Sequence, residues 1–243
     1  MLKNTLSSTF RFKHFTVQQD QSAMKIGTDA VLLGAWASLK HQPNSILDVG
    51  AGTGIIALQM AQRSLAETID AIELNDAAFE ECVTNFENSS WGARLFCYHA
   101  SFQEFVVEVD ELYESIISNP PFFNHKRNTG VQNPRTNARF TETLAFEDLL
   151  AGVANLLSEN GVFSCIIPAE FHLEFIAIAK ENKLRLNRIC YVKGNPDTPV
   201  KRCLMEFSFQ KSQLQEEDLT IEFARHHYTE DYVALTKDFY LKM

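Results

Sequence analysis

The sequence predicts an α/β fold: a mostly parallel sheet with helices on both faces, finishing in an antiparallel hairpin. Three observations predict it. Short apolar runs alternate with segments of helical spacing between residues 45 and 182, the pattern of parallel strands joined by helical crossovers. The runs 184–192 and 203–209 are separated by about ten residues with no helical segment between them, too few for a parallel crossover. Two turn motifs, Asp48-Val49-Gly50-Ala51-Gly52-Thr53-Gly54 and Asn119-Pro120-Pro121-Phe122, each follow an apolar run directly.

The elements follow in order. Thr28 or Asp29 is expected to cap a helix running to about Ser38. Residues 45–49 form the first core strand, stopped by glycines, and residues 55–63 have helical spacing. Residues 68–74 read as the second strand, and 77–86 as a helix with apolar positions at 79, 82, 83 and 86. Residues 93–98 are the third strand, 102–109 a short helix, and 113–118 the fourth strand. A polar loop covers about 122–142, long enough to suggest a function. A helix over 145–157 is expected to close at Asn160-Gly161. The fifth strand, 162–167, stops at Pro168. A helix over 169–182 leads to the two hairpin strands, which flank the loop Gly194-Asn195-Pro196-Asp197-Thr198-Pro199. Residues 219–223 are strand-like, and 229–240 predict a terminal helix. The chain is expected to be one domain over 1–243, with 1–40 an extension and helix over the ligand site and 45–243 the core.

With 243 residues, 45% hydrophobic and 22% charged, the composition is that of a soluble globular domain with a full core. No run of 18 apolar residues is present, which argues against a membrane span. The N-terminus lacks the apolar centre of a signal peptide. Cys82, Cys97, Cys165, Cys190 and Cys203 lie in or beside apolar stretches without a CxxC pair. Buried thiols in a reducing cytoplasm are expected, and no metal site. The oligomeric state is left open, with a monomer the expected one.

The net charge is −9, which taken alone disfavours a nucleic-acid partner. Its distribution points the other way. Residues 1–28, 124–139 and 180–202 carry 15 of the 22 Lys and Arg but only 3 of the 31 acids. Such runs are ordinarily solvated faces; if the three segments share one face, they would suit an anionic partner.

In open α/β sheets, ligands bind beyond the carboxyl ends of the parallel strands. Residues 50–54, 119–122 and 193–201 should all lie on that edge. Gly50, Gly52 and Gly54 allow a sharp turn and a close ligand approach. Glu73 ends the second strand, where a carboxylate can accept both hydroxyls of a ribose. The glycine spacing is not the GxGxxG of NAD sites. Asp48 sits poorly beside a pyrophosphate and suits a cationic ligand, such as the aminoacyl end of S-adenosylmethionine. It could equally accept backbone N–H bonds of its own loop.

The Asn-Pro-Pro-Phe turn suits transfer of a methyl group to a planar amine. An exocyclic aromatic amine is a weak nucleophile because its lone pair is delocalised into the ring. Two fixed acceptors can localise that pair by taking its two N–H bonds. Asn119 offers a side-chain oxygen, and Pro120 a carbonyl held by consecutive prolines. Phe122 offers a face for stacking. Orientation and preorganised dipoles would supply the acceleration without a strong base. A Pro-rich turn with Phe122 in the core is the plainer alternative; its place after the fourth strand, downstream of the glycine loop, disfavours it.

The similarity extends further. Residues 12–20 (Phe-Lys-His-Phe-Thr-Val-Gln-Gln-Asp) and 23–36 (Ala-Met-Lys-Ile-Gly-Thr-Asp-Ala-Val-Leu-Leu-Gly-Ala-Trp) resemble the N-terminal signature of a bacterial tRNA methyltransferase family. That family methylates N6 of the adenine at position 37 of valine tRNA. Residues 235–241 (Leu-Thr-Lys-Asp-Phe-Tyr-Leu) resemble its C-terminal signature. The resemblance implies a Rossmann-like class I methyltransferase fold with a seven-stranded sheet. It implies S-adenosylmethionine as cofactor and tRNA as substrate. Asp48, Gly50, Gly52, Gly54 and Glu73 would hold the cofactor, with Lys25, Thr28 and Asp29 over its methionine end. Ser101 stands where a relative carries an adenine-binding acid, and Phe102 could stack on that adenine. Asn119, Pro120 and Phe122 would hold the substrate adenine. Lys126, Arg127, Arg135, Arg139, Lys201 and Arg202 would hold RNA phosphates. Asn-Pro-Pro-Phe also occurs in DNA adenine methyltransferases and is close to the Asn-Pro-Pro-Tyr of protein glutamine methyltransferases. A glutamine methyltransferase and a non-catalytic nucleotide- or RNA-binding module are the alternatives.

Overall fold

The computed structural model describes residues 8–21, 25–120 and 144–243. A hairpin of β1 (Thr9–Arg11) and β2 (Thr16–Gln18) comes first. Then follow α1 (Thr28–Trp36), β3 (Ser45–Val49), α2 (Ile55–Arg63), β4 (Thr68–Glu73) and α3 (Asp76–Glu87). They lead into β5 (Leu95–His99), α4 (Phe102–Glu108) and β6 (Tyr113–Ser118). The second half holds α5 (Phe146–Leu156), β7 (Leu157–Pro168), α6 (His172–Glu181), β8 (Arg185–Lys193) and β9 (Arg202–Ser208). β10 (Gln215–Thr220), a small hairpin of β11 (Glu222–Ala224) and β12 (His227–Tyr228), and α7 (Glu230–Thr236) end the chain.

Among the described residues the central sheet has eight strands in the order β10-β8-β9-β7-β6-β3-β4-β5. In it, β9 runs antiparallel to its neighbours β7 and β8, and the other pairs are parallel. The hairpin β8–β9 is as expected, but it does not form the sheet's border. β10 pairs in parallel outside β8 and makes eight strands instead of the expected seven. Its sequence, Gln-Glu-Glu-Asp-Leu-Thr, buries only Leu219, so it carries no apolar alternation. Acidic side chains on a border strand also discourage pairing with another chain.

Successive residues of each core strand face opposite sides of the sheet. Ile46, Ile117, Ile166 and Leu204 pack with α1, α2 and α3, whereas Leu47, Ile116, Cys165 and Met205 pack with α4, α5 and α6. Both faces are covered, which explains the continuous apolar runs of the parallel strands. Cys82, Cys165, Cys190 and Cys203 are buried free thiols, and Cys97 is half-buried.

Three boundaries differ from the sequence reading. Helix α1 is preceded by Gly27 as its cap residue, so neither Thr28 nor Asp29 caps it; both lie in its first turn. Asn160-Gly161 does not close a helix. α5 stops at Leu156, and β7 begins at once, pairing Tyr113 with Leu157 and then Ser115 with Val162. The glycine marks an irregularity inside a strand. α7 starts where expected, with Thr229 accepting a bond from Tyr232 N, but ends at Thr236, whose carbonyl accepts Phe239 N and Tyr240 N in a closing turn.

The topology defines where a ligand belongs. The chain runs outward through β3, β4 and β5, then returns to the other side of β3 as β6. Between β3 and β6 the strand order reverses, and such a switch point opens a crevice at the strands' carboxyl ends.

Candidate active site

β3 and β6 are hydrogen-bonded neighbours in parallel, with Val49 opposite Ser118 as their last paired residues. The next residue on each strand is therefore Gly50 on one side and Asn119 on the other. Adjacent strands lie about 4.8 Å apart, so the two turn motifs leave the sheet side by side. Ser118 reinforces the junction, its buried hydroxyl donating to the Val49 carbonyl at 2.9 Å. Asn119 is half-buried and Pro120 buried. Phe122 lies outside the described residues, as do Lys126, Arg127, Arg135 and Arg139.

The glycine loop is held from beneath by β4. Gly50 N and Ala51 N both donate to the Ile72 carbonyl, at 3.0 and 2.9 Å. Glu73 receives Gly52 N at 2.7 Å on one oxygen and Asn75 N at 2.8 Å on the other. Each carboxylate oxygen keeps a further lone pair for a ligand hydroxyl. Gly50, Gly52 and Gly54 all have positive φ, at 75°, 56° and 77°. They divide by surroundings. A Cβ on Gly50 or Gly52 would meet nothing within 4 Å, whereas one on Gly54 would stand 2.5 Å from Phe86 Cε1 and 2.7 Å from Cys82 Sγ. Gly50 and Gly52 leave open space over the loop; Gly54 is needed where the loop packs on α3.

Asp48 is wholly buried, with 0% exposure. Its Oδ2 accepts Ala57 N at 3.1 Å, satisfying an orphan donor in the first turn of α2. Its Oδ1 is buried with no partner among the described residues. Burial raises the carboxyl to about 7, with the neighbouring Glu73 charge adding to the rise and the Ala57 bond opposing it. The folded chain therefore holds this proton at pH values where the unfolded chain has released it. That contribution favours the fold at low pH and is lost as pH rises from about 4 to about 7. Asp48→Asn, which keeps an acceptor for Ala57 N, is expected to gain stability relative to the native chain between about pH 5 and about pH 8. Thermal unfolding of both proteins at the two pH values checks this; a gap independent of pH contradicts it.

The other expected site residues are placed as follows. Ser101 caps α4 in a reciprocal box: its Oγ accepts Glu104 N at 3.2 Å and donates to Glu104 Oε2 at 2.7 Å, and its backbone N donates to the same oxygen at 3.0 Å. Phe102 is 5% exposed, with its ring 2.4 Å from where a Cβ on Gly152 would stand. It packs between α4 and α5, and core packing alone accounts for it. Lys25 reaches the Ser8 hydroxyl at 3.4 Å, and Thr28 is exposed at the start of α1. Asp29 forms an ion pair with Arg202, Nε to Oδ2 at 2.7 Å. Arg202 pairs with Pro168 at the carboxyl end of β7, so this bond fastens α1 to the same sheet edge as Asn119. Lys201 is exposed beside it.

One residue was not legible as part of this site. Asn85, 1% exposed, donates to Thr53 O at 2.9 Å and to Gln18 O at 3.0 Å, and accepts Gln18 N at 2.7 Å. It ties the N-terminal hairpin to the glycine loop through one side chain. An Asn late in a helix carries no local signal of such a role. Among the described residues no cluster of His, Cys, Asp or Glu could hold a metal, and no helix is long and apolar enough to cross a membrane.

Comparison with known proteins bears on the family and the fold. The family described as Methyltransferase small domain matches residues 21–181. A tRNA1(Val) (adenine(37)-N6)-methyltransferase of Christiangramia forsetii is 53% identical over 96% of this chain and 98% of its own. A relative of the same name from Flavobacterium psychrophilum is 50% identical over 96% of this chain and 100% of its own. Among solved structures, one described as a predicted O-methyltransferase from Agrobacterium tumefaciens superposes with a TM-score of 0.68. It is 21% identical and covers 87% of this chain and 96% of that one, a likeness of fold.

Proposed function

The chain belongs to the tRNA1(Val) (adenine(37)-N6)-methyltransferase family, and we propose that it methylates the exocyclic N6 amine of adenine 37 in valine tRNA, with S-adenosylmethionine as donor. The observation that carries this reading is the register of β3 and β6, which sets the glycine loop and Asn119 side by side at the switch point.

The residues present fit the cofactor. Asp48 Oδ1, buried and without a partner among the described residues, suits an ammonium donor. Gly50 and Gly52 leave room for a ligand to touch the backbone. Glu73 is anchored by two backbone N–H groups and suits a ribose diol. When bound, S-adenosylmethionine supplies a methyl already activated by its sulfonium, so the chain need not activate the donor. Asn119 Oδ1 and the Pro120 carbonyl accept the two N–H bonds of the adenine amine, keeping its lone pair out of the ring and aimed along the cleft. Phe122 stacks on the base. An anticodon loop is single-stranded, so its base can be presented splayed out. Lys126, Arg127, Arg135, Arg139 and Lys201 hold the flanking phosphates; Arg202 serves first as the partner of Asp29.

Glu73→Gln keeps an acceptor for one backbone N–H but turns an amide donor toward the other. It is expected to weaken cofactor binding about tenfold or more, since a bond to a charged group contributes about 1.5–3 kcal/mol. Calorimetric titration with S-adenosylmethionine checks this; native affinity in the variant contradicts the assignment. The reading as a whole is tested by incubating the protein with methyl-labelled cofactor and, separately, total tRNA, total protein or DNA. Label recovered as N6-methyladenosine from tRNA is the expected outcome. Label in protein glutamine, or in DNA alone, overturns it.

A further inference from the structure

One concave surface has none of Asp48, Gly50, Gly52, Glu73, Asn119 or Pro120 in its lining. It is a cavity of about 590 Å³ formed by the N-terminal hairpin, the end of α3 and Leu241. Its lining includes Thr9, Arg11, Lys13, His14, Gln18 and Asn88, and among the described residues none that lines it is acidic. In a chain with 31 acids and a net charge of −9, an acid-free hollow carrying Arg, Lys and His is a local reversal of sign. Two acids beside the hairpin are turned to backbone donors: Asp20 receives Ser8 N, and Glu81 receives Asp20 N and Gln21 N.

The chemistry of the hollow favours a polyanion over an apolar small molecule. Cavities for drug-sized ligands are mostly apolar with few polar groups. Here the aromatic rings that contribute, Phe12 and Phe15, are 4% and 6% exposed and belong to the core beneath. Apart from Leu241, which is 58% exposed, what faces solvent is polar or cationic: Thr9, Arg11, Lys13, His14, Thr16 and Asn88. Among the described residues the side chains of Arg11 and His14 have no hydrogen-bond or ion-pair partner, although the Arg11 backbone is part of the hairpin. Lys13 differs, since its Nζ ties the hairpin to the C-terminus through Lys237 O at 2.5 Å and Met243 O at 3.1 Å. The hollow is also mechanically joined to the glycine loop. Asn85 lines it and holds both Gln18 on the hairpin and Thr53 in the loop.

We propose that this hollow is a second contact for the substrate RNA, taking its phosphodiester backbone on Arg11 and His14 while the target adenine sits at Asn119. The proposal rests on the tRNA reading of the Asn119 site. Phosphate contacts position a nucleic acid without reading its sequence, so the hollow contributes affinity and register, not base choice.

The test uses the full chain and purified tRNA, with Arg11→Glu/His14→Glu as the main variant and Arg11→Gln/His14→Gln as a milder one should the first not fold. Both positions are exposed and outside the proposed catalytic groups. Binding of tRNA is measured by filter retention between about 50 and about 200 mM salt. The expected result is at least roughly tenfold weaker binding, with the salt dependence shallower by about one to two charges. The same loss is expected for a tRNA carrying guanosine in place of the target adenine, with cofactor affinity and turnover at saturating tRNA unchanged. Native affinity and native salt slope in the folded variants overturn the proposal. So does a variant that binds tRNA normally but loses binding to phosphatidylglycerol vesicles, which would assign the hollow to a lipid surface. If the native protein itself binds no tRNA, the function proposed above fails as well, a result separable from failure of the hollow alone.

Discussion

Asn119→Ala is expected to lose turnover by about 10²–10³-fold while binding S-adenosylmethionine within about twofold of the native chain. The magnitude is that of removing one preorganised group from a site where charge changes during reaction. The selectivity follows from the fold. Asn119 follows β6, whereas Asp48, Gly52 and Glu73 belong to β3, β4 and the loop between β3 and α2. None of the loop's bonds to Ile72, Glu73 or Ala57 passes through Asn119. Alanine removes the side-chain acceptor and leaves one amine N–H without a partner, but the Pro120 carbonyl stays. Asn119→Asp restores acceptor oxygens and should recover part of the rate. Single-turnover kinetics with saturating cofactor separates chemistry from binding. Native turnover in the alanine variant would remove Asn119 from the mechanism.

Gly54→Val is expected to act on folding. Two costs coincide there. The φ of 77° is a left-handed conformation that costs a non-glycine residue about 1–3 kcal/mol, most for a branched one. The new Cβ would also stand 2.5 Å from Phe86 Cε1 and 2.7 Å from Cys82 Sγ, and both residues are buried. Overpacking of this kind costs typically about 1–3 kcal/mol more. For a domain of this size the melting temperature should fall by roughly 5–20 °C. Gly52→Ala provides the contrast. Its φ is also positive, yet its Cβ would enter open space. That variant should fold with a modest loss and lose affinity for the cofactor, because the new methyl occupies the ligand's approach. Thermal unfolding with and without cofactor distinguishes the pair. A Gly54→Val chain as stable as the native one would refute the division of the glycines into packing and binding positions.

The contrast shows how far the sequence reaches. Strands β3 and β6 and helix α2 were legible to the residue, because apolar runs bounded by Gly, Pro or Asn report burial and termination together. That residues 50–54 and 119–122 share one edge followed from the alternation of strands and helices, whereas their direct adjacency comes from the strand order, with β6 beside β3. Strand β10 was not legible over its full length, because a bordering strand with one buried residue has no apolar period. The ends of α5 and β7 were misjudged because Asn160-Gly161 reads alike as a helix terminator and as a strand irregularity. Within the site, the motif supplied Asp48 and Glu73 but not their partners. That Asp48 caps α2 through Ala57, that Asp29 pairs with Arg202, and that Asn85 joins the hairpin to the loop are contacts across 9, 173 and up to 67 residues of chain. No local pattern encodes such pairings.

The most direct test of the central claim is a crystal structure with the demethylated cofactor and an adenine-bearing fragment of the anticodon loop. The geometry of the cleft predicts the purine in the crevice between Gly50 and Asn119, its N6 within about 2.7–3.2 Å of both Asn119 Oδ1 and the Pro120 carbonyl. The cofactor's ribose should lie on Glu73. A purine seated elsewhere, or an N6 turned away from both oxygens with the cofactor in place, would contradict it.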